Sequence, residues 1–490
     1  MNLKWQSLKK LLKNHYFQLA IVILLSFIVR LYRINYPLLD WHSFRQVDTA
    51  SVTYRFTQEG IDLLRPRYHD LSSIQSGKDN PQGYRMTEFP FINAMIALLL
   101  NIAPSLDLVM FSRFVSIIFS LGTILALYWL VSQVSNKQTA LISVIFLGLL
   151  PYSIYYSRVI LPEPFMLFFV TLSMASLTAF FKKKKIGYWW LSWSCLALSL
   201  LLKPFTAFLG PVFLTLAIIY EPKFFKKPLL YLYPLLAFTP LVLWRKWIMN
   251  FPEGIPASNW LFNQDGIRFR PAWFRWLFWE RLTKIMSGFV GVFFVFFNLV
   301  KRDRLLVIIA SWWLGILIFF ITIATGNVKH DYYQVLALPI LSLTLARGAI
   351  LFQQKLTAWL NKKIPQSDLI SSTITGVLFI TLIFLSWQQV KGFFNVNQWE
   401  FQKAGQEADL LLPPEAKVIA PAMGDTMFLF QTKRNGWPIG YDIDHKIAQG
   451  ATHYISTNLD AEAIELEKKY ITVKKTSEFL ILDLTIPRSE

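Results

Sequence analysis

Residues 40–56, DWHSFRQVDTASVTYRF, gather Asp40, His42, Arg45 and Asp48 just after an apolar run of membrane-spanning length. A carboxylate beside a bilayer is where a general base would stand to take a proton from a hydroxyl or an amine. Phe44, Val47, Ser51 and Tyr54 recur at helical spacing, which predicts a short amphipathic helix on the surface with Asp48 one turn from Arg45. An Arg45–Asp48 ion pair on a solvated helix is the alternative reading. Glu88 precedes Pro90 at the head of EFPFINAMIALLLNIAP, either as a site acid or as a charge favoured by a helix dipole.

The turn SRVILPEP at 157–164 places Arg158 and Glu163 between apolar segments, with Pro164 at a helix start. Charges there are costly unless they pair or face a polar cavity. They either pair with each other or present a cation and a carboxylate to one substrate. Lys203 sits between two apolar segments on the side where lysine is disfavoured, so it needs an anion: a phospholipid headgroup reached by snorkelling, or the phosphate of a bound lipid substrate. His330, Asp331, Tyr332 and Tyr333 make a last polar turn, for which interfacial aromatic residues are the alternative. The six histidines show no zinc-like spacing, and no Gly-rich phosphate loop, serine-hydrolase elbow or zinc-protease pair occurs.

The elements that must position these residues are membrane helices. Over 490 residues, 54% are hydrophobic and mean hydropathy is +0.40, too apolar for a soluble chain of this size. Eleven apolar stretches are expected to span a bilayer, at about 17–36, 108–132, 138–156, 164–181, 186–202, 204–220, 228–249, 285–300, 305–325, 333–351 and 370–390. The segment 89–103 is expected to lie along the interface. The net charge of +19 is carried mostly by short clusters between apolar runs, a topology signal and not a nucleic-acid patch. Lys4, Lys9, Lys10 and Lys13 place the N-terminus in the cytoplasm and, without a small-residue cleavage site, predict an uncleaved first helix. The KKKK run at 182–185, the 223–227 segment, KRDR at 301–304 and the loop 355–363 then fall inside. The polar turns share the opposite face with the outer loop 37–105 and the tail. The lone Cys195 excludes an intrachain disulfide.

The domain reading is 1–390 in the membrane and 391–490 outside it. In the tail, KVIAP, HYIST and EFLILDL read as strands and DAEAIELEKKY as a helix, a small α/β domain.

The ordered set of first helix, acidic outer loop, charge before a Pro-containing helix start, SR-x-x-x-x-(D/E)-P-like turn, KP helix start and H-x-Y-Y turn resembles the GT-C class of integral-membrane glycosyltransferases. Within that class it is most similar to the branch of protein O-mannosyltransferases and lipid A aminoarabinose transferases. The likeness covers about 17–350 and leaves the tail unassigned. It implies a GT-C-like polytopic α-helical fold and a polyprenyl-phosphate-linked sugar as donor, used on the extracytoplasmic face. The acceptor would be a lipid, a glycan or a protein, with inversion at the anomeric carbon. The resemblance makes Asp48 the base, with Asp40 as the alternative. Glu88, Arg158, Glu163, Lys203, His330, Tyr333, Arg45 and His42 become substrate-binding residues, and a divalent cation, were one held, would sit on Glu163, Glu88 or Asp48. Two departures stand out: the Asp-Glu pair that opens the first loop in many relatives is replaced by HSFRQVDTA, which puts Arg45 opposite their aspartate in a gapless alignment, and Glu163 stands where many have Asp. A bacterial inner membrane with a periplasmic active face follows from the same likeness. A lipid or saccharide transporter or flippase is the competing class, against which stand the crowding of charges on one face and the lack of paired broken helices. A non-catalytic scaffold would leave Arg158, Glu163 and Lys203 without a role.

Overall fold

The computed structural model describes residues 14–361 and 365–488. Lys4, Lys9, Lys10 and Lys13, and Lys362 and Lys363 of the expected inner loop, lie outside the described residues. The chain begins with α1 (His15–Arg30), α2 (Ser43–Glu59), α3 (Phe91–Ile102), α4 (Leu108–Val134), α5 (Lys137–Leu149) and α6 (Pro151–Tyr156). It continues through α7 (Glu163–Lys183), α8 (Ile186–Leu202), α9 (Pro228–Ile248), α10 (Arg304–Thr322), α11 (Leu338–Leu360) and α12 (Ser367–Val390).

This is a multi-pass membrane protein, and the count of eleven spans is not confirmed. Among the described residues six helices are long and apolar enough to cross a bilayer, and a seventh arises if the pair Pro271–Met286 and Gly291–Val300, bent by 105°, counts as one. Two causes account for the difference. Helices such as α1 and α5, of 16 and 13 residues, run only roughly 20–24 Å at 1.5 Å per residue, against a core of about 30 Å. Two expected spans are also interrupted. The stretch 138–156 breaks where Pro151 pushes Leu150 into an extended conformation (φ −59°, ψ 122°). The stretch 285–300 breaks at Gly288, whose φ of +50° brings its backbone against the Leu382 carbonyl, where a Cβ would overlap.

One compact unit holds residues 14–34, 114–243 and 258–392. Pro151 has no N–H for the Leu147 carbonyl four residues back. The buried Arg30 supplies donors at that break, to the Leu147 carbonyl at 3.4 Å and the Gly148 carbonyl at 2.7 Å. Between α7 and α8, Ser173 and Ser192 each donate to the other's carbonyl at 2.8 Å, and the Tyr233 hydroxyl joins them at 2.6 Å from Ser192. Small hydroxyls of this kind let apolar helices approach closely and hydrogen-bond across the seam.

The other unit holds residues 35–113, 244–257 and 393–488. Its tail segment follows α13 (Trp399–Leu411) with β1 (Lys417–Ile419), β2 (Asn435–Trp437), β3 (His453–Ser456), α14 (Ala461–Lys469), β4 (Tyr470–Lys475) and β5 (Leu480–Pro487). The sheet order is β2-β1-β3-β5-β4, parallel across β2, β1 and β3 and antiparallel at β5. The strands and the helix expected from KVIAP, HYIST, EFLILDL and DAEAIELEKKY are all present. The outer loop completes this module. Leu39 packs into the cluster of Phe401, Val418 and Phe428, and Leu71 into that of Ile419, Trp437 and Leu480. The loop backbone also pairs with the β2 edge, Gly436 N–H to the His69 carbonyl at 3.0 Å and Leu71 N–H to the Gly436 carbonyl at 2.8 Å. The helix expected on the surface, α2, is instead largely enclosed, with Arg45, Gln46, Asp48 and Ser51 buried beside Val47 and Ala50. Its polar side chains are satisfied by other segments of the unit, where the sequence reading had water.

Candidate functional site

The expected site residues form two groups, one in each unit. In the loop-and-tail unit, α2 starts at His42, which takes the left-handed conformation (φ 54°) after Trp41 stacks on Phe393 with ring centroids 5.1 Å apart. Asp40 is held by Gln46 Nε2 at 2.9 Å and Arg113 Nη2 at 3.2 Å, and Arg113 also donates to the Tyr36 and Pro37 carbonyls. Breaking a pair so enclosed leaves a buried charge, at a cost of roughly 3–5 kcal/mol. Asp48, 2% exposed, accepts from Thr426 Oγ1 at 2.7 Å, Arg85 Nη2 at 2.8 Å and Gln75 Nε2 at 3.3 Å. Arg45 reaches Glu88 at 2.5 Å. In place of the Arg45–Asp48 pair of the alternative reading stand two longer-range pairs, because both side chains are buried within the unit.

Next to this group, burial pushes the Asp70 carboxyl up to about 7, with Ser72 hydrogen bonds opposing and the Asp48 charge adding. Burial likewise raises Asp425 to about 6 and lowers the His69 imidazole to about 3, helped by Arg55 and Arg434.

In the helical unit, Glu163 opens α7 and its Oε1 lies 3.3 Å from Lys203 Nζ. Lys203 caps α8 ahead of Pro204, and its ammonium lies 5.8 Å from the Tyr333 ring centroid and 6.0 Å from that of Phe205. Tyr156 donates to the Asp331 carboxylate and Tyr152 to the Asp331 carbonyl, while Arg281 Nη1 stands 3.8 Å from Asp331 Oδ2. Arg158 donates to the Arg33 carbonyl at 2.7 Å and lies over Tyr155, whose ring touches Tyr156. His330 sits against Tyr332 and Tyr333. Arg158, Glu163, Lys203, His330 and Tyr333 are thus linked with Asp331 through a chain of neighbouring contacts within this unit. In a low-dielectric surround such cations attract an anion more strongly than they would in water.

The three carboxylates named for a possible divalent cation each lie beside a positively charged side chain. Among the described residues no three His, Cys, Asp or Glu side chains are grouped to hold one. Asp48 pairs with Arg85, Glu88 with Arg45 and Glu163 with Lys203.

Sequence reading passed over Arg85, Arg113, Arg281, Tyr152, Tyr156 and Thr426. Arg113 carried a signal, since an arginine inside a 27-residue apolar helix demands a partner. Arg85 also stood three residues before Glu88. Thr426 carried none, because its partner Asp48 is 378 positions away.

Residues 85–247, about a third of the chain, match the family described as dolichyl-phosphate-mannose-protein mannosyltransferase. Among solved structures, ArnT from Cupriavidus metallidurans bound to undecaprenyl phosphate aligns over 95% of this chain and 97% of its own, at 12% identity and a TM-score of 0.62. The fold is that of the GT-C glycosyltransferases. The Archaeoglobus fulgidus oligosaccharyltransferase, solved with a tethered acceptor peptide, aligns over 90% of this chain and 69% of its own, at 11% identity and a TM-score of 0.58. No curated protein matches by sequence. The family match takes in Arg85, Glu88, Arg113, Arg158, Glu163 and Lys203, so it reaches into both groups.

Proposed function

We propose that this protein transfers a sugar from a polyprenyl-phosphate donor to a lipid, glycan or protein acceptor on the extracytoplasmic face of the cell inner (plasma) membrane. The N-terminus is cytoplasmic and the tail module extracytoplasmic in this reading. The observation that carries it is the cluster of Arg158, Lys203 and Arg281 in an apolar helical unit of GT-C fold. A leaving phosphate gathers negative charge as the anomeric carbon–oxygen bond breaks, and preorganised cations stabilise that charge. Lys203 and Arg158 are the principal donors, with His330 and Tyr333 beside them. The attacking hydroxyl or amine gives its proton to a carboxylate as it forms the new bond and the polyprenyl phosphate departs, and the anomeric carbon inverts.

Asp48 is the proposed base, with Glu88 as the second carboxylate and Arg45 as its partner. A carboxylate offers about four acceptor sites, and Asp48 uses three of them on Arg85, Thr426 and Gln75. Glu88 is favoured on one count: its side chain keeps 15% exposure against 2% for Asp48. Asp40, bound by Arg113 and Gln46, is assigned to holding the loop in place.

The test is transfer by the purified protein in lipid nanodiscs. Asp48→Asn is expected to lose about 10²–10⁴-fold in turnover while still binding the lipid-phosphate donor. Arg85→Gln, which leaves the buried Asp48 carboxylate without its ion pair, is expected to lower stability by roughly 3–5 kcal/mol, read as a lower Tm. Near-normal transfer by Asp48→Asn together with loss in Glu88→Gln would move the base to Glu88.

A further inference from the structure

The loop-and-tail unit contains a cleft of about 680 Å³ that none of these roles uses. It is large enough for a small ligand, and its lining has a distinct chemistry. From α2 come Tyr54, Thr57 and Gln58; from α13 come Gln402 and Gln406. Tyr54 and Gln58, like Gln402 and Gln406, stand four residues apart, so each pair shares one helix face. Asn101, Gln431, Tyr36 and Phe430 add two more amides and two more aromatic rings.

The ionisable groups in this lining are already engaged or neutral. Asp107 caps α4 through the Met110 N–H at 2.7 Å. Lys433 pairs with Asp409 at 2.6 Å. His69, 2% exposed, is uncharged at neutral pH because burial lowers its imidazole to about 3. Ser51 Oγ accepts the His69 backbone N–H at 2.9 Å and also meets Nδ1, to which its own proton is available. That places the ring proton on Nε2, which has no hydrogen-bond partner among the described residues. Gln431 Nε2 is likewise buried without a partner among them.

Amides that donate and accept, flat rings with an apolar face and a polar edge, and the lack of uncommitted charge suit a polyhydroxylated neutral ligand. A phosphate or carboxylate would meet no spare cation. We propose that this cleft binds a neutral saccharide and, on the glycosyltransferase reading, that the saccharide is part of the acceptor. The placement fits an acceptor. Tyr54 follows Asp48 by six residues on α2, roughly 9 Å along the axis and about 120° round it, so a bound glycan has one helix between its anchor and the proposed base.

The experiment is saturation-transfer NMR on the full chain in nanodiscs. The probes are neutral glucose, galactose, mannose and N-acetylglucosamine trisaccharides, with a sulfated trisaccharide and an uncharged tripeptide beside them. At least one neutral trisaccharide is expected to bind, and Gln58→Ala/Gln402→Ala/Gln406→Ala to weaken it at least tenfold. Surface substitutions of this kind hardly change stability, so an unchanged Tm accompanies the loss. No signal from any neutral trisaccharide, equal binding by the triple variant, or binding of the tripeptide or sulfated probe alone would overturn the assignment. Donor turnover in the same preparations separates the two readings: the triple variant leaves the phosphate-binding cations intact, and saccharide binding is read whether or not any donor turns over.

Discussion

Asp70 ties the chemistry of single side chains to a measurable property of the whole unit. Its carboxyl is held near 7 by burial, above the ordinary carboxylate range, so across the window between about 4 and 7 the folded chain keeps a proton that the unfolded chain has released. Stability therefore falls as pH rises through that window, by at most ~1.4 kcal/mol per unit. His69, held near 3, acts with the opposite sign: between about 3 and 6.5 the unfolded chain binds the extra proton, so stability rises with pH. In the wild type the two slopes offset. Asp70→Asn removes one, and its Tm, followed by tryptophan fluorescence from pH 4.5 to 8, is expected to gain on the wild type as pH rises to 7 and hold the gain above it. Parallel curves would contradict this. At this scale the sequence disclosed residue types well and partners poorly. Lys203 and Glu163 were visible as charges in apolar surroundings, and so were Asp40 and Asp48. That Asp48 binds Arg85 and Thr426 was not, because ion pairs between distant segments leave no local pattern.

Elements follow local rules where local rules suffice. Asn136 and Asp303 cap their helices by accepting the Thr139 and Leu306 N–H groups, and Pro151 ends α5 as prolines do. Hydrophobic period located the tail strands and most membrane helices. It misjudged α2, because a mixed polar and apolar helix reads the same whether water or other side chains satisfy its polar face. Its count of eleven spans is not confirmed, since apolar length alone does not register a break such as the one at Gly288. The β2 edge shows how strictly elements can constrain a residue. Gly436 lies between β1 and the loop strand at 69–71, and a Cβ there would overlap the Val418 carbonyl, a backbone atom with no room to move. Gly436→Ala is expected to destabilise the module by on the order of 1–3 kcal/mol or more, seen as a lower Tm and faster proteolysis of the tail. A wild-type Tm would show that the edge tolerates displacement.

At the scale of the molecule, the loop 37–105 and the tail form one compact unit although about 290 residues of membrane helices separate them in sequence. Their shared cores, such as Leu39 with Phe428 and Leu71 with Trp437, join segments too far apart to show a common period in the sequence. The GT-C fold was nonetheless legible, from five weak motifs in a fixed order. The central claim is that the cations of the helical unit hold the phosphate of a lipid-linked sugar. The most direct measurement is sugar release from a panel of polyprenyl-phosphate sugars in nanodiscs, by wild type and by Lys203→Met/Glu163→Gln, which removes the cation and keeps the local charge balance. The account predicts turnover of at least one donor, with kcat/KM about 10²-fold lower in the double variant. Equal turnover by the two proteins, or binding of a donor that neither protein turns over in the presence of acceptors, would contradict it.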